Sequence, residues 1–364
     1  MAGTRLRIAV RRVHLWLGLT LGLLFALLGL TGSALVFYTG IDERLHPAIE
    51  AEWSGLAPGL ASPAWDRALA TGAARWHHAG GKWTFEVTGE GGAIPARYYP
   101  MPGHHADREM VWFSPDGSRV LRAEPWGGYL MSWLYQLHMQ LLAGEVGHQV
   151  VGWSGVAMLL LLVSGVIAWW PRGSWAKAVA FKRGAVPIRR LRDLHKLAGI
   201  WSMALLAVLV ATGVLLALPA VVQAILAPTA MPVPIAAAGE GPRVPIVRAL
   251  ASARRALPDG RVVFFDVPTD LAAPIRVRLQ VPGDPHARFA GSFVFVDQRS
   301  ARVLAVHDLR RGNAGTAVNA WVRTLHDGTV GGLSTRILAV ATGLVPAILF
   351  VTGFLHWRRR RTAR

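Results

Sequence analysis

Apolar positions along the chain are gathered into four long runs, which are separated by segments where apolar and polar positions alternate. The runs cover residues 13–41, 149–170, 197–219 and 337–357 and contain no charged side chain. A helix needs about 20 apolar residues to cross a bilayer, so the pattern predicts four transmembrane helices. The first run exceeds the apolar region of a signal peptide, which has about 7–15 residues, and is therefore predicted to be a helix that stays in the membrane.

The two long segments between the runs have the pattern of α+β domains, because in each a helix-like stretch precedes four short strand-like runs. In the first segment the helix is predicted at 63–77 and the strands at 83–88, 97–99, 110–113 and 119–122. In the second segment the helix is predicted at 245–257 and the strands at 262–267, 275–281, 293–296 and 302–306.

The two halves of the chain repeat the same features. At an offset of 181 residues the matching residues are His14, Gly18, Thr31 and Gly32 with His195, Gly199, Thr212 and Gly213. At an offset of 188 residues they are Leu137-His138, Gly144 and Ser164-Gly165 with Leu325-His326, Gly332 and Thr352-Gly353. The pattern predicts two parallel copies of helix, insert and helix, related by a pseudo-two-fold axis along the membrane normal.

Positive charge is concentrated beside the apolar runs. The net charge is +18, and residues 5–12, 172–196 and 358–364 hold 17 basic residues against one acid, Asp193. The other stretches are nearly neutral, with 22 basic and 20 acidic residues. Cytoplasmic segments next to transmembrane helices are rich in Lys and Arg. We therefore expect both termini in the cytoplasm and the inserts on the opposite side, and no nucleic-acid partner.

The predicted protein is a mainly α, multi-pass membrane protein with two α+β inserts. Its segments are the first transmembrane helix with its basic N terminus (1–41), the first insert (42–128), an amphipathic segment with the second transmembrane helix (129–172), a basic cytoplasmic loop (173–194), the third transmembrane helix (195–219), the second insert (220–320) and the fourth transmembrane helix with its basic C terminus (321–364).

Histidine is the main candidate metal ligand, because the chain has 13 His and no Cys. A histidine in or beside a transmembrane helix is costly without a partner or a function. The repeat predicts that His14 faces His195 on the cytoplasmic side and that His138 faces His326 on the outer side. Haem iron takes one axial ligand on each face, and imidazole is a good ligand for iron. Each pair could therefore hold a b-type haem between facing helices.

Four glycines share the helix face of the inner histidines, since 18 residues make about five helical turns. They are Gly18, Gly32, Gly199 and Gly213. Glycine lets a macrocycle or a neighbouring helix approach closely. The alternative is that these glycines only pack helices, and that His14 and His195 bind water or lipid phosphate at the interface.

Two further histidines are alternative ligands. His148 precedes the second transmembrane helix and His356 ends the fourth, but their repeat counterparts are Arg336 and Ala168. The sequence contains no phosphate-binding glycine loop, nucleophile elbow or paired intramembrane carboxylates. No catalytic residue beyond the haem-binding set is predicted.

The sequence resembles the PepSY-associated transmembrane family in several motifs. They are Arg12-Val-His14 with Gly18 and Thr31-Gly32, Leu137-His138 with Gly144, Ser164-Gly165 through Trp169-Trp170-Pro171-Arg172, and Asp193-Leu-His195 with Gly199. The family includes haem-binding ferrisiderophore reductases of the bacterial inner membrane. The resemblance implies periplasmic PepSY-like inserts and two b-type haems, with the family's histidine blocks at His14, His138, His195 and His326.

The resulting hypothesis is a transmembrane oxidoreductase that reduces a periplasmic ferric siderophore, or a similar iron chelate, with electrons from an unidentified donor on the membrane or cytoplasmic side. Two other hypotheses remain open. One is a haem-free membrane protein whose inserts bind a periplasmic protein or peptide, which would contain no porphyrin. The other is a transporter of the iron chelate, which would move substrate without a redox partner.

Overall fold

The computed structural model describes residues 2–47, 57–89, 92–101, 103, 107–171, 173–236 and 241–362. They form two compact units. The first comprises residues 1–38, 134–221 and 322–364, and the second comprises residues 39–133 and 222–321.

The first unit contains four helices that are long and apolar enough to cross a membrane. They are α1 (Ala2–Leu35), α5 (Gly144–Trp169), α7 (Pro187–Ala217) and α11 (Leu333–Thr362). In lipid every backbone polar group has to find its partner within the protein, and a helix meets this requirement over an uninterrupted apolar run. Helix α1 packs against α5 and α11, and α7 packs against the same two helices. The prediction of four membrane-spanning helices is confirmed.

The ends of these helices differ from the ends of the apolar runs. Helix α1 stops at Leu35, because the chain tightens there through a bond from the Phe37 N–H to the Ala34 carbonyl. Helix α7 begins at Pro187, inside the predicted loop 173–194. Proline suits the first turn of a helix, and Arg and Lys are good helix formers, so the basic segment continues the helix beyond the apolar run.

Shorter helices complete the chain. They are α2 (Tyr38–Leu45), α3 (Ala64–Ala73), α4 (Leu130–Gln140), α6 (Trp175–Ala178), α8 (Pro219–Ile225), α9 (Ile246–Ala256) and α10 (Ala314–His326). His326 is the last residue of α10. The turn that follows contains Gly328, whose positive φ of 73° suits glycine.

The second unit contains one eight-stranded sheet. Its strands are β1 (Lys82–Glu86), β2 (Ile94–Tyr99), β3 (Glu109–Phe113), β4 (Val120–Pro125), β5 (Arg261–Pro268), β6 (Ile275–Gln280), β7 (Ser292–Val296) and β8 (Val303–His307). They lie in the order β4-β3-β2-β1-β5-β6-β7-β8, and each strand is antiparallel to its neighbours.

The pairing of β1 with β5 joins the two inserts into one sheet, an arrangement that the sequence analysis did not include. Lys82 pairs with Pro268 and Phe85 pairs with Phe265. The order of elements is the same in the two inserts, since α3 precedes β1–β4 and α9 precedes β5–β8.

An aromatic core lies between the sheet and the helices α3 and α9. Trp65 of α3 is 1% exposed, and its ring centroid lies 5.2 Å from that of Phe265 on β5. The carboxylate of Asp66 accepts a hydrogen bond of 3.0 Å from the Ile246 N–H, which ties α3 to the N terminus of α9. Both inserts therefore contribute to one core.

A buried carboxylate links three central strands. Asp266 on β5 accepts hydrogen bonds from the Thr84 hydroxyl at 2.7 Å and from Arg276 Nη2 at 2.6 Å, and Lys82 Nζ lies 3.6 Å away. Burial alone would raise the pKa of Asp266, but Arg276 and Lys82 outweigh it and hold this pKa below its ordinary value. The carboxylate therefore stays charged in the core.

Candidate functional site

The structure brings His14 and His195 together inside the helix bundle. Their ring centroids lie 6.3 Å apart and their ring planes are nearly perpendicular, at 85°. His14 lies on α1 and His195 lies on α7, at the end of the bundle where the basic residues are concentrated. The ring of His195 pairs with His14 and not with His356.

Each of these rings also contacts one further helix, which is α5 for His14 and α11 for His195. Nδ1 of His14 lies 3.2 Å from the carbonyl oxygen of Leu161 and 3.1 Å from the hydroxyl of Ser164, both on α5. On the other side, Nδ1 of His195 lies 2.9 Å from the Leu349 carbonyl oxygen and 3.2 Å from the Thr352 hydroxyl.

His138 and His326 form a second pair. Their ring centroids are 6.2 Å apart and their planes meet at 43°. His138 lies near the end of α4 and His326 lies at the end of α10, in the helices that precede α5 and α11 in sequence.

The second pair has the same kind of support. Nδ1 of His138 lies 3.0 Å from the Leu28 carbonyl oxygen and 3.1 Å from the Thr31 hydroxyl on α1. Nδ1 of His326 is 2.9 Å from the Leu209 carbonyl oxygen and 3.3 Å from the Thr212 hydroxyl on α7. All four histidines are thus attached to a neighbouring helix through the same ring nitrogen.

These contacts define the protonation of the rings. A carbonyl oxygen only accepts hydrogen bonds, so Nδ1 carries the proton in each neutral imidazole and Nε2 keeps its lone pair. Metal-binding histidines are commonly held in this way, with one ring nitrogen donating to a carbonyl and the other facing the metal. Each of the four imidazoles therefore presents Nε2 as its unprotonated nitrogen.

One five-residue pattern supplies all four supports. It reads Leu-x-x-Ser/Thr-Gly and occurs at 28–32, 161–165, 209–213 and 349–353. A Cβ atom added to its glycine would meet the imidazole Cε1 at 2.8 Å for Gly32 and at 3.0 Å for Gly165 and Gly213. At Gly353 this distance would be 3.2 Å. The glycine is needed because the histidine ring lies directly against the helix backbone.

The structure shows what approaches two of the predicted glycines. Gly32 and Gly213, which helical periodicity places on the helix face of the inner histidines, are approached by the imidazoles of His138 and His326. Gly18 has open space, since a Cβ there would meet no atom within 4 Å, and a Cβ on Gly199 would make an ordinary contact of 3.7 Å.

The separation of the rings fits two ligands on one metal. A bond from a metal to an imidazole nitrogen is about 2.0–2.1 Å. With each ring centroid about 1.2 Å from its nitrogens, two imidazoles on opposite sides of one metal have centroids about 6.4 Å apart. The observed distances of 6.3 and 6.2 Å match this value. In the described part of the chain no three His, Asp or Glu side chains converge on one point, so each site offers two protein ligands.

Burial affects the protonation of the second pair. Burial, together with the neighbouring His326, lowers the pKa of His138 to about 4. Burial also lowers the pKa of His326. Both imidazoles are therefore shifted towards their neutral form.

Other histidines lie apart from the two pairs. His148 is near Glu145, with 3.8 Å between Nδ1 and the carboxylate. His78 stacks on Tyr98 and His286 accepts hydrogen bonds from backbone N–H groups. His104 and His105 lie outside the described residues.

The contribution of the hydroxyl groups was not predicted. Ser164, Thr31 and their repeat counterparts stand out in the sequence only as repeated positions. The signal was present, because the Leu-x-x-Ser/Thr-Gly pattern occurs once for each of the four histidines. Linking a pattern to its histidine required knowing which helices are neighbours.

Four apolar helices with paired histidines in their interior define a multi-pass membrane protein. The family model of the PepSY-associated TM region matches residues 11–360. The chain therefore belongs to the PepSY-associated transmembrane family, as the sequence motifs predicted. No curated protein matches the chain in sequence.

Proposed function

We propose that this protein transfers electrons across the bacterial inner membrane with two b-type haems, one at each histidine pair, and reduces a ferric siderophore in the periplasm. Reduction gives Fe(II) for uptake. The observation that carries the proposal is the presence of two imidazole pairs at the spacing of ligands on a shared metal, each ring presenting Nε2.

The residues fit haem better than a metal ion bound by protein alone. Each pair would supply the two neutral imidazoles that a b-type haem needs from the protein, whereas a metal ion bound by protein alone would need further ligands. When bound, haem supplies a one-electron redox centre. His14 with His195, and His138 with His326, would hold the two groups.

The surrounding residues give these sites their electrostatic character. Each Nδ1–H donates to a carbonyl oxygen, which makes Nε2 more basic and a stronger electron donor to a metal. The buried hydroxyls satisfy part of the polar surface of the imidazoles. The four rings are partly buried between helices, which would limit the access of water to them.

The charge distribution gives the proposed direction of transfer. The His14 and His195 pair lies towards the basic end of the bundle, which the positive-inside rule assigns to the cytoplasm. We therefore propose that the unidentified electron donor acts on the membrane or cytoplasmic side. The His138 and His326 pair would then serve the periplasmic side, where the inserts provide the surface for the iron chelate.

The chemistry of the proposed substrate explains why one electron is enough. Siderophores bind Fe(III) through hard oxygen donors, which hold the softer Fe(II) far less tightly. Transfer of one electron to the chelated Fe(III) gives Fe(II), and the siderophore then releases it. No residue of this chain has to cleave a covalent bond.

The test is the absorption spectrum and haem content of the detergent-purified protein, produced with haem available, before and after dithionite. We expect sharp reduced bands and two haems per chain in the wild type. His14→Ala and His138→Ala should each lose one haem. His148→Ala is the matched control and should keep both.

Two results would overturn the proposal. Wild-type protein without haem would leave the interaction or transport hypotheses. Haem that is retained in His14→Ala and His138→Ala but lost in His148→Ala would place the ligands elsewhere. If haem binds as expected, stopped-flow reduction of a ferric hydroxamate by the prereduced protein tests the substrate class.

A further inference from the structure

In the Leu-x-x-Ser/Thr-Gly pattern, the hydroxyl of each of the three threonines donates its proton to a carbonyl oxygen of its own helix. Thr31 donates to the Leu27 carbonyl oxygen at 2.8 Å. Thr212 and Thr352 make the same bond to the carbonyl oxygen four residues earlier, at 2.7 Å and 2.6 Å. Because the hydroxyl proton points along its own helix, the oxygen faces the histidine as an acceptor. Each of these imidazole N–H groups therefore has two acceptors, a carbonyl and a hydroxyl.

Ser164 differs from the three threonines in its shortest bond. Its hydroxyl donates to the Leu161 carbonyl oxygen at 2.8 Å, and His14 Nδ1 contacts the same oxygen at 3.2 Å. The threonine hydroxyls lie farther, at 3.0–3.3 Å, from the leucine carbonyl that their own histidine contacts. Serine also lacks the methyl group that restricts the χ1 rotamer of threonine. The leucine carbonyl is thus shared most closely at His14.

We propose that Thr31, Ser164, Thr212 and Thr352 are positioning residues that set the planes of the haem ligands and make the two haem sites electronically different. This inference rests on the proposed function. Two acceptors at different positions restrict rotation of the ring about its Cβ–Cγ bond, whereas one acceptor would allow it. The outcome is a plane angle of 85° at His14 and His195, and of 43° at His138 and His326.

The plane angle changes the electronic structure of an iron between two imidazoles. Each imidazole interacts by π overlap with the iron d orbital perpendicular to its plane. Perpendicular planes therefore affect two d orbitals equally, whereas planes closer to parallel separate their energies. Orientation of axial ligands and hydrogen bonding around them are levers by which a protein tunes haem. Ferric protein should give one strongly anisotropic low-spin signal for the first pair and one rhombic signal for the second.

The test is electron paramagnetic resonance of the full-length, haem-loaded ferric protein. Thr31→Val keeps the side-chain shape and removes the hydroxyl, so the rhombic signal should shift while the anisotropic signal stays unchanged. Thr31→Ser should restore the wild-type spectrum. Thr342→Val is the matched control, because Thr342 is buried on α11 and donates to the Leu338 carbonyl oxygen without meeting a paired histidine.

The outcomes separate the two levels of inference. Wild-type protein without haem overturns both the proposed function and the positioning role. Two haems with an unchanged spectrum in Thr31→Val overturn the positioning role alone. If Thr31→Val loses haem, restoration in Thr31→Ser supports positioning, and an equal loss in Thr342→Val overturns it.

A different observation concerns the segment that follows α8, residues 227–236, which we call the apolar strap. Its side chains alternate, with Met231, Val233 and Ile235 exposed and the prolines between them half-buried. Val233 is 89% exposed and Ile235 is 79% exposed. Exposed apolar side chains on one face of an extended segment usually mark an interaction surface.

The sequence around the strap favours lipid over another protein as its partner. The chain has no charged residue between Lys196 and Glu240, so the strap continues the uncharged stretch of α7. After α1, by contrast, charged residues already occur in the next helix, at Asp42, Glu43 and Arg44 of α2. The strap is also a poor template for a strand of another protein, because Pro232 and Pro234 have no N–H to donate.

We propose that Met231, Val233 and Ile235 insert into the interfacial region of the lipid bilayer. Burial of apolar side chains in this region stabilises peripheral contact with a membrane. The contact depends on lipid and is independent of haem. It would anchor the second half of the chain beyond the end of α7.

The chain has no cysteine, so Val233→Cys introduces a single thiol for a nitroxide label. In vesicles of phosphatidylcholine and phosphatidylglycerol, the label should collide more often with oxygen than with a water-soluble nickel chelate. Arg302→Cys, at an exposed position directly before β8, is the control and should show the opposite preference. Equal access of the nickel chelate at both positions, or protection of position 233 from both reagents, overturns the proposal.

Discussion

The helix bundle and the sheet unit bury different kinds of side chain. The core of the sheet unit is dominated by large apolar residues, among them Trp65, Phe85 and Phe265. The interior of the bundle also buries hydroxyl groups, and four of them contact an imidazole. They are Thr31, Ser164, Thr212 and Thr352, all at most 8% exposed. Large apolar side chains therefore dominate the core of the sheet unit, whereas small polar side chains are buried in the bundle.

The physical reason lies in the surroundings of the two units. In water, burial of apolar surface drives folding, so the sheet unit gains stability from its aromatic core. Lipid is as apolar as a leucine side chain, so helices in a membrane associate through small residues and hydrogen bonds. A buried polar side chain in the bundle therefore indicates a specific partner more strongly than it would in the sheet unit.

Gly32→Val should produce the largest effect in the bundle. The added atoms would meet Cε1 of His138 at 2.8 Å or closer, so the imidazole has to move away from its pair. We expect the haem-to-protein ratio to fall from two to one. Gly18→Ala is the control, because Gly18 faces open space, and should keep both haems. Two haems in Gly32→Val would contradict the packing argument.

Trp65→Ala should show whether the two units are independent. Removal of a large buried aromatic side chain costs about 3–5 kcal/mol. We expect faster hydrogen exchange in the strands of the full-length protein, measured by mass spectrometry in nanodiscs, with both haems retained. A loss of haem in this variant would show that the bundle depends on the sheet and would remove the contrast between them.

Asp266→Asn should have a smaller effect, confined to the sheet. The variant keeps the shape of the side chain but weakens its bonds to Thr84 and Arg276. Loss of a buried charged partner costs about 1–3 kcal/mol. The rate of backbone hydrogen exchange should rise most in β1, β5 and β6. An unchanged exchange pattern would mean that the carboxylate does not stabilise the joined sheet.

The contribution of Asp266 should also depend on pH. Its pKa in the folded protein lies below the ordinary value, so the unfolded chain takes up the proton first as the pH falls. The stabilisation is complete above the ordinary carboxyl pKa of about 3.9 and is lost below it. The difference in melting temperature between wild type and Asp266→Asn should therefore narrow from pH 6 to pH 3. A constant difference would contradict a charged Asp266.

Local patterns were enough to predict the spanning helices and most strands. The uncharged runs predicted α1, α5, α7 and α11, and the alternation in β6 placed this strand at its observed start, Ile275. The histidine pairs followed from the predicted repeat, because equivalent residues of two parallel copies would meet near an axis between them. Their distances and supports required the structure.

Other features depend on pairs of residues far apart in the chain. The pairing of Phe85 with Phe265 joins strands from different halves, and neither strand alone indicates its partner. The contact of His138 with Thr31 crosses from α4 to α1, and helical periodicity placed Gly32 on an inward face without indicating that His138 packs against it. Periodicity describes one helix at a time, so it predicts a face but not the neighbour of that face.

The central pairing of β1 with β5 has a consequence for biogenesis. The ribosome completes β1 long before it makes β5, and two membrane-spanning helices are synthesised between them. Until β5 is made, the edge of the first half-sheet formed by β1 has no neighbouring strand. Unpaired sheet edges are templates for aggregation. The yield of this protein should depend on how quickly translation reaches β5 and on chaperones that shield β1 in the meantime.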